Sequence, residues 1–172
     1  MRGAEGIREI YDRKMRVLKA KPSFAHASGT STARLGDGLG CSVTSGSHQI
    51  EIDLPEAEGG ADRGPTPGQV MRSGLAACLA MGYRLWGARL GIVLDEVTVE
   101  MTCELDARGQ LGIDGSPPGW QRVSWAVRVV SDASEADVRR VLDTADRLSP
   151  MLACLDRDIV QRRTVVLSAR RP

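Results

Sequence analysis

The first apolar pattern along the chain is helical. Ile7, Ile10, Tyr11, Met15 and Leu18 fall near one face, with Arg8, Arg13, Lys14 and Lys19 around the rest. This predicts an amphipathic helix from Ile7 to Lys21, packed on its own body or on a partner subunit. From Ser28 the period changes to two. Ser28 to Leu35 and Cys41 to Ser45 flank the hairpin turn Gly36-Asp37-Gly38, and Ser45-Gly46-Ser47 makes a second turn. Gln49-Ile50-Glu51-Ile52-Asp53-Leu54 then alternates cleanly. A three-stranded antiparallel meander is expected, followed by a Gly- and Pro-rich loop from Pro55 to Pro67.

The principal helix reads from Gly68 to Gly91. Thr66 can cap it, Pro67 suits the first helical position, and Gln69 stands where a capping box places Glu or Gln. Arg89 sits in the last turn and Gly91 can take the left-handed closing conformation. Gly74 to Gly82 is almost wholly apolar and built of small residues, which predicts a buried helix with no water-facing side. Gly74, Cys78 and Gly82 recur at helical spacing, so another element can press close to the thiol.

Beyond the helix, Val97, Val99, Met101, Cys103 and Leu105 line one face of a strand, opposite Thr98, Glu100, Thr102 and Glu104. Cys103 is thus most simply a core residue. Asp106-Ala107-Arg108-Gly109 turns the chain and Leu111 to Ile113 starts a return strand, broken by Ser116-Pro117-Pro118-Gly119. Val123, Trp125, Val127 and Val129 share a face of the next strand. Trp120 and Trp125 are candidates to line a pocket, although core packing is the simpler role. Ser134 opens a second amphipathic helix with Val138, Val141, Leu142, Ala145 and Leu148 as its stripe. Ser149-Pro150 restarts a short helical turn, and Ile159 to Leu167 reads as the last strand. The order is an α+β pattern, without regular β-α-β alternation.

Length changes this picture little: 172 residues suit one domain with a terminal extension. The extension is residues 1–27, a helical segment, and the domain is residues 28–172. A net charge of +1 provides no field for nucleic acid or an anionic membrane. Arg2, Glu5, Arg8 and Glu9 precede any apolar run, unlike a secretory signal, and Arg72 and Arg84 interrupt the long helix, so no membrane partner is expected. Cys41, Cys78, Cys103 and Cys154 show no C-x-x-C spacing and no paired histidines, so neither a metal nor a cofactor is expected. His26 reads as a surface histidine. Four scattered cysteines suit a reducing cytoplasm.

A lone helical cysteine is usually a packing residue. The surrounding motifs change that reading. Gly59-Gly60-Ala61-Asp62-Arg63-Gly64-Pro65-Thr66-Pro67, followed by Gly74-Leu75-Ala76-Ala77-Cys78, resembles the osmotically inducible protein C and organic hydroperoxide resistance (OsmC/Ohr) superfamily. There a Gly-Gly loop precedes an Asn-Pro or similar dipeptide, and Gly-x-Ala-Ala-Cys follows on the central helix. The resemblance runs from about Ser28 to Leu167. It implies antiparallel sheets packed on a central buried helix in an intertwined homodimer, with sites at the subunit interface. It also implies thiol peroxidase chemistry: the helical cysteine attacks the O–O bond as a thiolate, and its sulfenic acid condenses with a second cysteine in Cys-Pro-Val.

Three positions depart from that pattern. The second cysteine aligns with Ser149, in Ser149-Pro150-Met151. Cys154, five residues on, lies about 500° around a helix and is a poor substitute. The family glutamate ahead of Gly-Gly falls on Ala57, between Glu56 and Glu58, and the activating arginine of the first hairpin falls on Gly36, with Arg34 nearby. Cys78 is eleven positions beyond Pro67, too far along its helix for the N-terminal dipole to lower its pKa. The resemblance therefore implies a hydroperoxide-reducing protein of oxidative-stress defence that uses Cys78, with Ser149 beside it, Arg34 as thiolate partner and an external thiol as reductant. The alternative is a non-catalytic protein of the same fold, binding an apolar ligand at the dimer interface.

Overall fold

The computed structural model describes residues 3–155 and 158–170. In chain order it contains helix α1 (Ala4–Ala20), strands β1 (Ser31–Leu35), β2 (Cys41–Ser45) and β3 (His48–Ile52), and helix α2 (Pro67–Leu90). Strand β4 (Glu96–Leu105), the short helix α3 (Ala107–Gln110), strand β5 (Trp120–Val130), helix α4 (Glu135–Arg147) and strand β6 (Val160–Ser168) follow. The strands form two sheets, β1-β2-β3 and β4-β5-β6. The chain divides into two units, one from Met15 to Met71 and one comprising the chain before Met15 and from Arg72 onward.

In the Met15–Met71 unit the meander is antiparallel, with Ala33 opposite Val43 and Val43 opposite Ile50. The register places Ala33, Leu35, Cys41, Val43, Ile50 and Ile52 on one face, and Thr32, Arg34, Ser42, Thr44, Gln49 and Glu51 on the other. The apolar face is open in the single chain: Leu35 is 60% exposed and Ile50 43%. Just past β3, Asp53 is 2% exposed. Its carboxylate accepts from the backbone N–H groups of Leu54 (2.8 Å), Ala61 (3.3 Å) and Arg63 (3.3 Å), and from Arg63 Nε (3.2 Å). One side chain thus ties the loop back to the end of β3. The approach is so close that a Cβ at Gly60 would lie 1.9 Å from the Leu54 carbonyl oxygen.

The other unit builds a core of its own. Val123, Trp125, Val127 and Val129 of β5 are all buried, as their alternation predicts, against Leu75, Leu79 and Tyr83 of α2 and Val138, Val141, Leu142 and Ala145 of α4. Each such side chain stabilises the fold by roughly 1.5–3 kcal/mol when taken from water. Cys103 packs at the edge of this cluster, on the inward face of β4. Ser134 caps α4 as expected, its side chain accepting from the Asp137 N–H at 3.2 Å.

Three sequence expectations need correction. The antiparallel pairing expected throughout holds for β1-β2-β3 and for β4 with β5, but β6 joins β5 in parallel, with Val127 opposite Val165. Helix α4 supplies the long connection that a parallel pair requires. The return strand expected at Leu111 to Ile113 does not form. Gly112, Asp114 and Gly115 all have positive φ (68°, 54° and 64°), so the chain after α3 turns where a strand would run. Helix α2 buries one stripe, Leu75, Leu79, Tyr83, Gly87 and Ala88, while Met81 is 67% exposed. Sheet and α4 cover only part of the helix circumference, so the side without a water-facing sequence still faces outward within one chain.

Candidate functional site

The helix that carries Cys78 begins as its sequence predicts. The Thr66 N–H donates to Gln69 Oε1 at 2.7 Å, and the Gln69 N–H donates to Thr66 Oγ1 at 3.2 Å, a reciprocal capping box that places Pro67 first in the helix. At the other end Gly91 has φ +71° and its N–H reaches the Ala88 carbonyl at 3.3 Å. Between them, Gly74, Cys78 and Gly82 form a ridge of small residues that the end of α4 and the turn after it follow in the opposite direction. A Cβ at Gly82 would sit 4.0 Å from Ala145 Cβ, and one at Gly74 would sit 4.0 Å from Met151 Cε. Midway, Cys78 Sγ stands 4.0 Å from Ser149 Oγ.

Ser149 is 7% exposed and Cys78 half-buried. The serine leaves α4 and initiates the next turn: its Oγ accepts from the Leu152 N–H at 3.2 Å and its carbonyl from the Ala153 N–H at 3.1 Å. These bonds start the turn, but the helical turn expected from Ser149-Pro150 begins later: it is the 3-10 segment Leu152–Cys154, with Met151 before it. With one lone pair engaged by Leu152, the hydroxyl hydrogen is available to the sulfur. The pair can therefore support an anion on Cys78, or a polar oxidised form of it, through an O–H donor. It cannot form a disulfide.

Of the other site candidates, Arg34 lies in β1 on the polar face of the meander, opposite Ser42. Glu56 and Glu58 are exposed in a 3-10 turn that Gly59 closes at φ +88°. These three belong to the Met15–Met71 unit and Cys78 with Ser149 to the other. Cys154 is exposed in the turn after Ser149. Burial pushes the Cys103 thiol up, with the Arg72 charge opposing, so it is a poor nucleophile.

The sequence reading missed a polar cluster beside the pair. Tyr83, fully buried on the same helix as Cys78, donates to Asp146 Oδ1 at 2.7 Å and accepts from Trp125 Nε1 at 3.1 Å. Arg163 of β6 donates to both Asp146 and Asp143. Burial, then Asp146, pushes the Tyr83 hydroxyl well above its ordinary range. Burial also raises the Asp146 carboxyl, against the hydrogen bond from Tyr83 and the charge of Arg163. One signal was available: Arg163 shares the inward face of β6 with Val165 and Leu167. An arginine in that register needs a buried acid.

Comparison with known proteins follows the same outline. Among curated proteins none matches this sequence. Among solved structures, an OsmC-like protein from Mycoplasma pneumoniae aligns with a TM-score of 0.70 at 19% identity, covering 83% of this chain and 97% of that one. An organic hydroperoxide resistance protein from Elizabethkingia anophelis gives 0.66 at 20% identity, covering 83% and 98%. One from Legionella pneumophila gives 0.60 at 17% identity, covering 81% and 96%. At these identities the likeness is one of fold. A family model described as OsmC-like protein matches residues 59–162, a span that includes the Gly-Gly loop, Cys78 and Ser149. On that match the chain belongs to the OsmC-like family.

Proposed function

We propose that this protein is a thiol-dependent hydroperoxide reductase of oxidative-stress defence that works with a single cysteine, Cys78, as a cytoplasmic homodimer. The observation that carries this reading is the apposition of the Cys78 sulfur and the Ser149 hydroxyl at 4.0 Å on a half-buried ridge. The chemistry is that of a thiolate on an alkyl hydroperoxide. Cys78 sulfur attacks the terminal peroxide oxygen, the O–O bond breaks, and the alkoxide takes a proton to leave as an alcohol, giving a sulfenic acid. The Ser149 hydroxyl donates to the sulfur before attack and to the sulfenic oxygen afterwards. No cysteine stands at position 149 to condense with that acid, so an external thiol does so, with loss of water. A second external thiol then releases Cys78 and leaves as the disulfide. Arg34 is the cation that the resemblance offers as thiolate partner, and slower oxidation of Cys78 by hydroperoxide in Arg34→Ala is the corresponding expectation.

The dimer reading is supported by two open apolar surfaces, the face of the meander with Leu35 and Ile50, and Met81 on α2. The same surfaces favour the second reading, a non-catalytic protein that binds an apolar ligand at the subunit interface. Limited treatment with cumene hydroperoxide followed by mass spectrometric mapping separates the two. Selective oxidation of Cys78, at least about tenfold faster than Cys41, Cys103 and Cys154, is the outcome expected of the enzyme. Slow oxidation of all four at similar rates would leave only the binding protein.

A further inference from the structure

The Cys78–Ser149 pair is not held by its own contact. A sulfur and a hydroxyl 4.0 Å apart interact weakly, and Ser149 lies in the turn beyond α4, outside any sheet ladder. What fixes that turn lies one helical turn earlier. The Ser149 N–H donates to the Asp146 carbonyl at 3.1 Å, so the position of Asp146 passes directly to Ser149. Asp146 in turn is held by its side chain from two directions. Tyr83 reaches it from α2, the helix that carries Cys78, and Arg163 reaches it from β6. Tyr83 is itself pinned by Trp125 of β5.

We propose that Tyr83, Asp146 and Arg163 form a positioning clamp that sets the separation of the Ser149 hydroxyl from the Cys78 sulfur. The inference deepens the functional reading above and rests on it for its purpose, but its geometry is independent of peroxide chemistry. Two bonds of unequal strength connect α2 to the end of α4. The strong one, Tyr83 to Asp146, is part-buried and charge-assisted; the weak one, Cys78 to Ser149, is where a reaction needs freedom to exchange partners. Backbone packing alone leaves a gap here: the Gly82–Ala145 and Gly74–Met151 approaches are ordinary van der Waals spacings with room for a methyl group, so they do not lock the ridge to a single distance. The clamp supplies that lock. None of its three residues touches a reacting atom, so they are positioning residues.

The test uses Ser149→Cys as a ruler. In that variant the disulfide between Cys78 and the thiol introduced at position 149 is equilibrated against glutathione. Its effective concentration is measured with and without Tyr83→Phe, which keeps the ring and removes only the hydroxyl. Asp146→Asn, which weakens both arms, is the second variant should the first fold poorly. The expected result is a fall of about tenfold in effective concentration in either variant, beyond any change in the urea midpoint of the reduced protein. A purely structural network would lower the midpoint and leave the effective concentration of the folded state unchanged, which would overturn the clamp. Failure of that disulfide to form even with Tyr83 and Asp146 intact would overturn it too, because there would be no apposition to set. Should the clamp result hold while cumene hydroperoxide leaves Cys78 no more oxidised than the other cysteines, the functional reading fails and the clamp stands.

Discussion

The unit that carries Cys78 closes a core around β5, with four consecutive inward positions buried and two helices against them, whereas the Met15–Met71 unit folds a three-stranded meander whose apolar face lies open. Both alternate in sequence with period two, and both pair in the register that alternation dictates. They differ in what is available to cover them. Helices α2 and α4 lie against β5 and bury its inward face within the chain. The meander instead keeps its shape through a carboxylate, Asp53, that gathers three backbone N–H groups and a guanidinium. One region is held by apolar burial that is complete in a single chain. The other is held by polar bracing and still presents surface that water solvates poorly.

The largest effect is expected from hollowing the closed core. Leu79→Ala, beneath the ridge on α2, is expected to cost about 2–5 kcal/mol in urea unfolding, because the lost side chain leaves a cavity among residues that cannot all relax. A cost below about 1 kcal/mol would mean that the core is looser than its burial implies. The next test addresses the open face. Ile50→Glu places a charge there, and a surface that meets a second copy cannot tolerate it. Self-association as the proposed dimer, followed by sedimentation, is expected to weaken about a hundredfold, with the unfolding of the monomer nearly unchanged. Unaltered association would show that this face is not the one buried between copies.

The smallest effect concerns pH, and the two units should differ in sign. Burial pushes the Asp53 carboxyl up, but its hydrogen bonds from Leu54, Arg63 and Ala61 outweigh that and hold it below the ordinary 3.8. Its stabilising contribution is therefore present above 3.8 and lost as pH falls through its lower folded value. Asp146 is raised by burial, so its contribution is full below 3.8 and lost as pH rises through its higher folded value. Carboxyl carbon shifts followed by NMR across the acid range should show Asp53 titrating at lower pH than Asp146. The reverse order would remove the contrast.

Much of this was legible in the residues. Thr66, Pro67 and Gln69 gave the start of α2 because a capping box needs only local chemistry, and Gly91 gave its end for the same reason. Gly74, Cys78 and Gly82 announced a ridge of small residues, and Ser149 lies against it. What escaped was non-local. The parallel pairing of β6 depends on how the connection through α4 returns the chain to β5, and alternation within β6 is the same for either direction. Leu111 and Ile113 look like strand residues until the backbone of Gly112, Asp114 and Gly115 turns left-handed around them. Tyr83 and Asp146 lie sixty-three positions apart, and neither helical pattern hints at the bond between them.

That parallel strand also has a temporal consequence. Helix α2 and its sulfur leave the ribosome well before β6, and synthesis proceeds from the N-terminus. Until the β6 segment emerges and Arg163 reaches Asp146, the serine-bearing turn has only one of its two anchors. In a nascent molecule α2 and its sulfur thus precede the strand whose Arg163 completes the proposed anchorage of the serine-bearing turn.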